Sequence, residues 1–353
     1  MDTLTHALSA AVLARATAPS SPGANELPLR ARVVACTVAG AFPDIDFWLE
    51  AISPVVYLEN HRGLTHSILL LPLWALLLAW ACSRITRDRR GITPWFGVCA
   101  LGIAAHIAGD LITSFGTMIL APVSKQRFGI GTTFIIDLWF TGILVVGLAG
   151  SLVFRRSRVP AAVASLALVG YVGMQAIQKQ EAERFGAGYA EAQLRDGATV
   201  EAYPRPVSPF NWTVFVTAGE RIDYAHVNLL RHQVRPDPTP DTGFIARLDA
   251  AYRPLDDARW QHRTRFGETR DEQALARSAW AAQELAFFRW FAELPAYDGT
   301  APGTSCVWFR DLRFDTPGRA GTPFRYGVCR GGPNDRWRLH TVNEAGVAQS
   351  VGR

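Results

Sequence analysis

The chain has 353 residues, 49% hydrophobic and only 19% charged, enough for two or three domains but more apolar than an average soluble protein. The formal net charge is +5, yet the arginines are scattered or sit beside apolar runs. No basic stripe is interleaved with exposed aromatics, which argues against a nucleic-acid partner and for a membrane topology.

The N-terminus, MDTLTHALSAAVLARATAP, opens on an aspartate instead of a basic region, so it is read as retained and not as a cleaved signal. Residues 3–18 predict a helix capped by Asp2 or Thr3, with Asp2 and His6 four apart. A turn-rich loop over 19–29 follows. Arg30 and Arg32 then lead into VVACTVAGAF and the tetrapeptide Pro43 to Asp46. Pro43 disfavours an unbroken helix, which puts Asp44 and Asp46 on a short kinked exit. Two carboxylates at the end of an apolar run are costly unless paired or metal-bound.

The stretch His61-Arg62-Gly63-Leu64-Thr65-His66-Ser67 runs directly into ILLLPLWALLLAWAC, which with its flanks suffices for a bilayer span of about 20 residues. His61 and His66 cannot share one face of a regular helix. His66 is read as the ligand, and His61 as a group behind it or facing substrate. After a basic loop (Arg84, Arg87, Arg89, Arg90), a helix is predicted from about Pro94 to Ile119. It carries His106 and Asp110 one turn apart on one face. An imidazole and a carboxylate in that register make half of a metal site; the alternative is a buried pair that only ties helices together.

A further apolar span runs from Phe134 to Phe154 with Asp137 near its start, then Arg155, Arg156 and Arg158, then a last span from about Pro160 to Ile177. Placing the arginine groups in the cytoplasm brings His6, Asp44, Asp46, His61, His66, His106, Asp110 and Asp137 toward the outer face. Residues 1–178 are therefore expected to form an all-α polytopic membrane bundle with a metal site at one face. Residues 179–353 are expected to form a small extracytoplasmic α+β domain.

In that second part, a helix continues from the membrane, 211–217 and 222–231 alternate like strands, and strands return at 304–315, 323–330 and near 336–342. A helix over about 271–294 carries Trp280, Phe287, Phe288, Trp290 and Phe291 on one side, read as core or as a surface resting on the membrane. Cys36, Cys82 and Cys99 lie in apolar runs as packing residues, whereas Cys306 and Cys329 suit a disulfide in an oxidising compartment. His226, His232, His262 and His340 are isolated and read as structural or surface residues.

With MDTLTHAL, PDID, HRGLTHS and HIAGDLITSFGT in one chain, roughly residues 1–180 resemble the YdjM/YbcI-type family of predicted membrane-bound metal-dependent hydrolases. PRPVSPFNW and WFRDLRF resemble the extension that longer members carry. The resemblance implies an integral membrane helical protein with a bound metal and a hydrolase assignment. A more distant similarity is to zinc-dependent phospholipase C and the S1/P1 nucleases. Their ligand order can be laid onto His6, Asp44, His66, His106 and Asp110. Those enzymes use a further His and a His-x-x-x-Glu that this chain lacks, with Asp137 as a partial substitute, so one or two ions are expected and not three.

Three histidines with two or more carboxylates suit zinc, with manganese or iron as alternatives. Asp46 is read as a second ligand or the general base. Arg62 is read as steadying a phosphate or anchoring at the lipid interface. Thr5, Thr65 and Thr113 are read as caps and helix contacts. The expected function is a metal-dependent hydrolase of a phosphoester or lipid-like substrate at the outer face of a bacterial inner membrane, with membrane lipid as its partner. The alternatives are an ion-coupled carrier and a non-catalytic scaffold with a structural metal.

Overall fold

The computed structural model describes residues 1–353 except 21–22, 24, 194, 301–304, 320, 333–334, 343–347 and 351–353. The chain divides into two compact units, Met1–Leu49 with Asn60–Ile177, and Glu50–Glu59 with Gln178–Arg353.

The first unit is helical. Helix α1 (Thr3–Ala16) starts at Asp2, whose carboxylate accepts from the Thr5 amide, and α2 (Leu29–Ala41) leads into a 3-10 segment, Phe42–Ala51. Pro43 has no amide hydrogen to continue an α-helical ladder there. Next come α3 (Pro54–Asn60), which apart from Asn60 belongs to the second unit, then a 3-10 turn at Leu64–His66, α4 (Leu71–Thr86), α5 (Thr93–Leu111), α6 (Leu138–Val153) and α7 (Val159–Ala192), whose residues after Ile177 belong to the second unit. Helices α5 and α7 are long and apolar enough to cross a membrane, and the bent pair Pro54–His66 with Leu71–Thr86 would be a third candidate if it counts as one span. Large apolar side chains such as Val34, Leu77, Val146, Leu152, Leu166 and Val169 are exposed, as lipid-facing residues would be.

Two expected boundaries move. Helix α5 stops at Leu111, well before Ile119, because the following chain turns back: Gly116 takes a φ of +87°, and Thr117 pairs with Phe128. Helix α6 starts at Leu138 because Asp137 caps it, accepting from the amides of Trp139 and Phe140 at 2.9 Å each.

Small residues set how closely α1, α2 and α5 pack. A Cβ on Gly102 would sit 2.5 Å from the Cys36 carbonyl oxygen and 2.9 Å from the Gly40 nitrogen; one on Gly40 would sit 2.4 Å from Ala10 Cβ. Ala10, Ala14, Cys36, Ala39, Cys99 and Ile103 fill the seam. Backbones that approach this closely gain dispersion contacts along their length, which is how helices associate where apolar burial alone gives no drive.

The second unit is built on antiparallel sheets. Strands β1 (Thr199–Pro204), β2 (Asn211–Ala218) and β3 (Arg221–Asn228), then α8 (Phe244–Ala250) and β4 (Trp260–Thr264), give a sheet of order β1-β2-β3-β4. The later part of α7 packs on it through Ala182 against Trp212 and Val214, and Tyr189 stacks on Trp260 at 3.7 Å. Helices α9 (Arg270–Ala281) and α10 (Ala286–Phe291) precede a second sheet of order β5 (Pro295–Thr300), β6 (Ser305–Asp311), β7 (Arg325–Arg330), β8 (Arg338–Val342) and β9 (Ala348–Ser350).

The single helix expected over 271–294 is broken. A Thr269–Glu272 capping box starts α9, and the chain leaves it at Ala282 before a 3-10 turn. Its aromatic side is core and not a membrane-resting surface: Phe287, Phe288 and Phe291 are buried, and Trp280 packs on Phe309 at 4.9 Å. Cys306 and Cys329 face each other across β6 and β7 and are disulfide-bonded.

Gly102→Ala is expected to lower the thermal midpoint, by about 1–3 kcal/mol of overpacking. Gly142→Ala, with nothing within 4 Å of the added carbon, is not. Equal midpoints for the two variants would overturn the close crossing. In the second unit, burial and then Arg205 push the His226 imidazole down to about 3, and its Nδ1 lies 2.9 Å from Thr213 Oγ1. Above about 6.5 neither folded nor unfolded chain protonates this ring. Between about 6.5 and 3 only the unfolded chain takes up the proton, so stability is lost as the pH is lowered through that window. Melting curves of the full chain should show this slope in wild type and a shallower one in His226→Asn. Identical slopes would refute it.

Candidate metal centre

Asp44 from the 3-10 segment after α2, His66 from the turn before α4, and His106 with Asp110 on α5 each direct one ligand-type atom to a common point. The four atoms lie within 4.8 Å of one another and all four residues are buried. His66 Nε2 lies 3.2 Å and His106 Nε2 3.5 Å from Asp110 Oδ2. Asp44 Oδ1 lies 3.7 Å and 3.5 Å from the same two nitrogens, which are 2.9 Å apart.

Each side chain is held by its outer atom and turned inward by the other. His106 Nδ1 donates to the Gly40 carbonyl at 2.6 Å. A carbonyl only accepts, so the neutral ring presents the Nε2 lone pair to the centre. His66 Nδ1 sits 2.9 Å from Thr65 Oγ1 and 3.5 Å from Asp46 Oδ2, again leaving Nε2 inward. Asp44 Oδ2 accepts from the Thr3 hydroxyl at 2.6 Å. Asp110 Oδ1 is approached by His6 Nε2 and Arg62 Nη2, each at 3.0 Å, and by the Met1 amino group.

Asp110 Oδ2, by contrast, is buried with no hydrogen bond of normal geometry. With both imidazoles neutral and carrying their protons on Nδ1, two nitrogen lone pairs and two carboxylate oxygens gathered in a dry interior are expensive. A divalent cation satisfies all four at once, and two imidazoles with two carboxylates are a donor set such ions accept. Outer hydrogen bonds to ligating imidazoles and carboxylates are the usual support of such centres.

His6 lies outside the group of four. Its ring stacks on His106 with centroids 3.6 Å apart, and its Nε2 binds the outer oxygen of Asp110. Asp46 sits one layer behind His66. Its Oδ1 is 2.8 Å from His61 Nδ1, and its Oδ2 accepts from the Arg62 amide at 3.0 Å and the Thr65 hydroxyl at 3.2 Å. Arg62 is 2% exposed, so it is no anchor at a lipid interface; its φ of +59° folds the side chain inward, where Nη1 donates to Thr113 Oγ1 at 2.9 Å. Asp137 caps α6 and accepts from the Tyr171 hydroxyl at 2.8 Å, away from the cluster. Thr5 binds Asp2 and lies 3.1 Å from Thr141, while Thr113 donates to the Asp110 carbonyl. Gly40 and Thr3, which orient His106 and Asp44, carry no sequence signal of that role: one acts through its backbone carbonyl, the other reads as a helix start.

Comparison with known proteins finds one curated relative and one family. The uncharacterized protein YfhP of Bacillus subtilis (strain 168) is 28% identical over 132 residues, 37% of this chain and 40% of that relative, so the likeness spans less than half of either protein. No solved structure matches the chain significantly. The family model described as YdjM inner membrane protein matches residues 1–182, a stretch that holds all four converging side chains and every group that orients them. The chain belongs to the YdjM inner membrane protein family.

Proposed function

We propose that this protein is a membrane-bound metal-dependent hydrolase acting on a phosphoester or lipid-like substrate, with zinc as the preferred ion. The observation that carries the reading is the buried Asp110 Oδ2, left without a hydrogen bond while two imidazole nitrogens and the Asp44 carboxylate point at the same spot. Asp44, His66, His106 and Asp110 would hold one ion. A zinc-class ion held there with an open position lowers the pKa of a bound water to about 7 and polarises a phosphoryl oxygen.

The remaining residues divide the work around it. Arg62 and His6 both engage the outer oxygen of Asp110, which holds that carboxylate with its other oxygen turned inward. Asp46 fixes His61 through Nδ1. The His61 side chain is 12% exposed, against 0–1% for His6, His66 and His106, so it is the imidazole best placed to exchange a proton with an incoming molecule. Asp46 is then the residue that orients this base, and Arg62 braces the metal ligand instead of gripping the substrate.

The family, the apolar helices and the arginine-rich loops support a multi-pass protein of the inner membrane. The Cys306–Cys329 bridge supports an extracytoplasmic second unit, since such bonds persist in oxidising compartments.

Elemental analysis of the detergent-purified full chain should give about one equivalent of zinc, manganese or iron, lost in His106→Ala/Asp110→Ala. Metal-free but folded wild type would refute the reading and make ion flux in liposomes the next measurement. His61→Gln should keep its metal and lose about 10²–10⁴-fold in turnover of a phosphodiester or phospholipid. Unchanged turnover would remove His61 from the chemistry.

A further inference from the structure

The opposite ends of α1 and α2 form a second concave site. A cavity of about 440 Å³ is lined by Arg15, Arg32, Arg155, Arg156 and Arg158, together with Ser20, Ser157, Leu27 and Leu29, with no carboxylate among the described residues that line it. Arg15 lies nine residues past His6 on α1, about 13–14 Å along the helix axis, so this site is distinct from the metal centre.

None of the five arginines forms an ion pair among the described residues. Arg15 is only 9% exposed and spends its Nη2 on backbone carbonyls at the end of α6, those of Phe154, Arg155 and Ser157. Its Nε has no partner. Arg32 binds the Ala14 carbonyl at 3.0 Å and the Thr17 hydroxyl at 2.8 Å. Carbonyls and hydroxyls satisfy donors but neutralise no charge. Two positive helix ends add to the field: α2 begins beside the cavity at Leu29 without a side-chain cap, and α7 begins there at Val159.

Apolar grooves flank the cavity on both sides. One, about 460 Å³, runs between α1, α2 and α6 past Ala11, Val33, Leu148 and Leu152, and shares Arg15 with the basic cavity. The other, about 880 Å³, runs between α6 and α7 past Ile143, Val146, Val163 and Ala167, and shares Ser157. Topology alone asks only that arginines lie on one side of the membrane. It does not ask for five of them around one pocket, with no carboxylate among its described lining residues, that shares lining residues with two apolar grooves.

We propose that this end of the helical unit binds one acidic phospholipid, its phosphate-bearing headgroup among the arginines and its acyl chains along the two grooves. Basic pockets between membrane helices are suited to such headgroups, and the uncompensated charge at Arg15 supplies the anchor. The proposal stands independently of the hydrolase reading.

The test is native mass spectrometry of the delipidated full chain titrated with dioleoyl phosphatidylglycerol, dioleoyl phosphatidylcholine and glycerol phosphate. Phosphatidylglycerol should bind at least tenfold more tightly than phosphatidylcholine, which has the same chains, and glycerol phosphate should not displace it at equal concentration. Arg155→Gln/Arg156→Gln/Arg158→Gln, three exposed positions, should weaken phosphatidylglycerol at least tenfold. Arg84→Gln/Arg87→Gln/Arg89→Gln, with the same loss of charge outside the cavity, should change it less than twofold. Equal binding of the two lipids, or equal losses in the two triple variants, would overturn the proposal. Displacement by glycerol phosphate would assign the cavity to a soluble phosphate ester instead of a lipid.

Discussion

The helical unit depends on one buried carboxylate. Asp110 is fully shielded from solvent, and a charge there persists only if its surroundings supply what water would have supplied. One oxygen receives three donors from three separate places in the chain: the Met1 amine, His6 and Arg62. The other faces imidazole nitrogens. That asymmetry explains much of the local architecture. Residues 61–67 must enter the unit in an irregular path for Arg62 to reach Asp110 from one side and His66 from the other. Arg62 therefore adopts a left-handed backbone, and Gly63, where a Cβ would come 2.7 Å from the Asn60 carbonyl, completes the turn.

Asp46 shows a second layer of the same logic. It binds no atom of the central four except through His66, yet it holds the Arg62 amide, the Thr65 hydroxyl and His61. The two aspartates of the PDID segment are thus divided between a face that meets the centre and a face that fixes the loop around it. A 3-10 segment suits this division, because residues two apart on it point in well-separated directions.

Local spacing made part of this legible and tertiary geometry withheld the rest. The four-residue interval between His106 and Asp110 is a helix property, so their common face follows from sequence alone. Carboxylates at the end of an apolar run are conspicuous by cost, which picked out Asp44 and Asp46, while His66 stood out by opening the next apolar run. That His6 meets the outer oxygen of Asp110 and not the group of four depends on tertiary geometry, and no periodicity encodes that. Arg62 turns inward because of one backbone dihedral. In the second unit the core strands β2, β3, β6 and β7 carry apolar residues on schedule, whereas β1, β4 and β5 are short or interrupted by polar residues, Pro or Gly and escape a pattern reading. The break at Ala282 has no Gly or Pro to announce it; packing of Phe287, Phe288 and Phe291 sets the new direction.

Gly40 has a double duty whose effect reaches beyond packing. Its missing side chain lets α2 approach α1 and α5, and its carbonyl fixes the His106 ring. The donors themselves are spread over three chain segments, and no segment brings more than the pair on α5. Helices that enter a bilayer one by one and associate afterwards therefore present only fragments of the cluster until α2 has docked. The donor set is thus a property of the docked helices and of no single one of them.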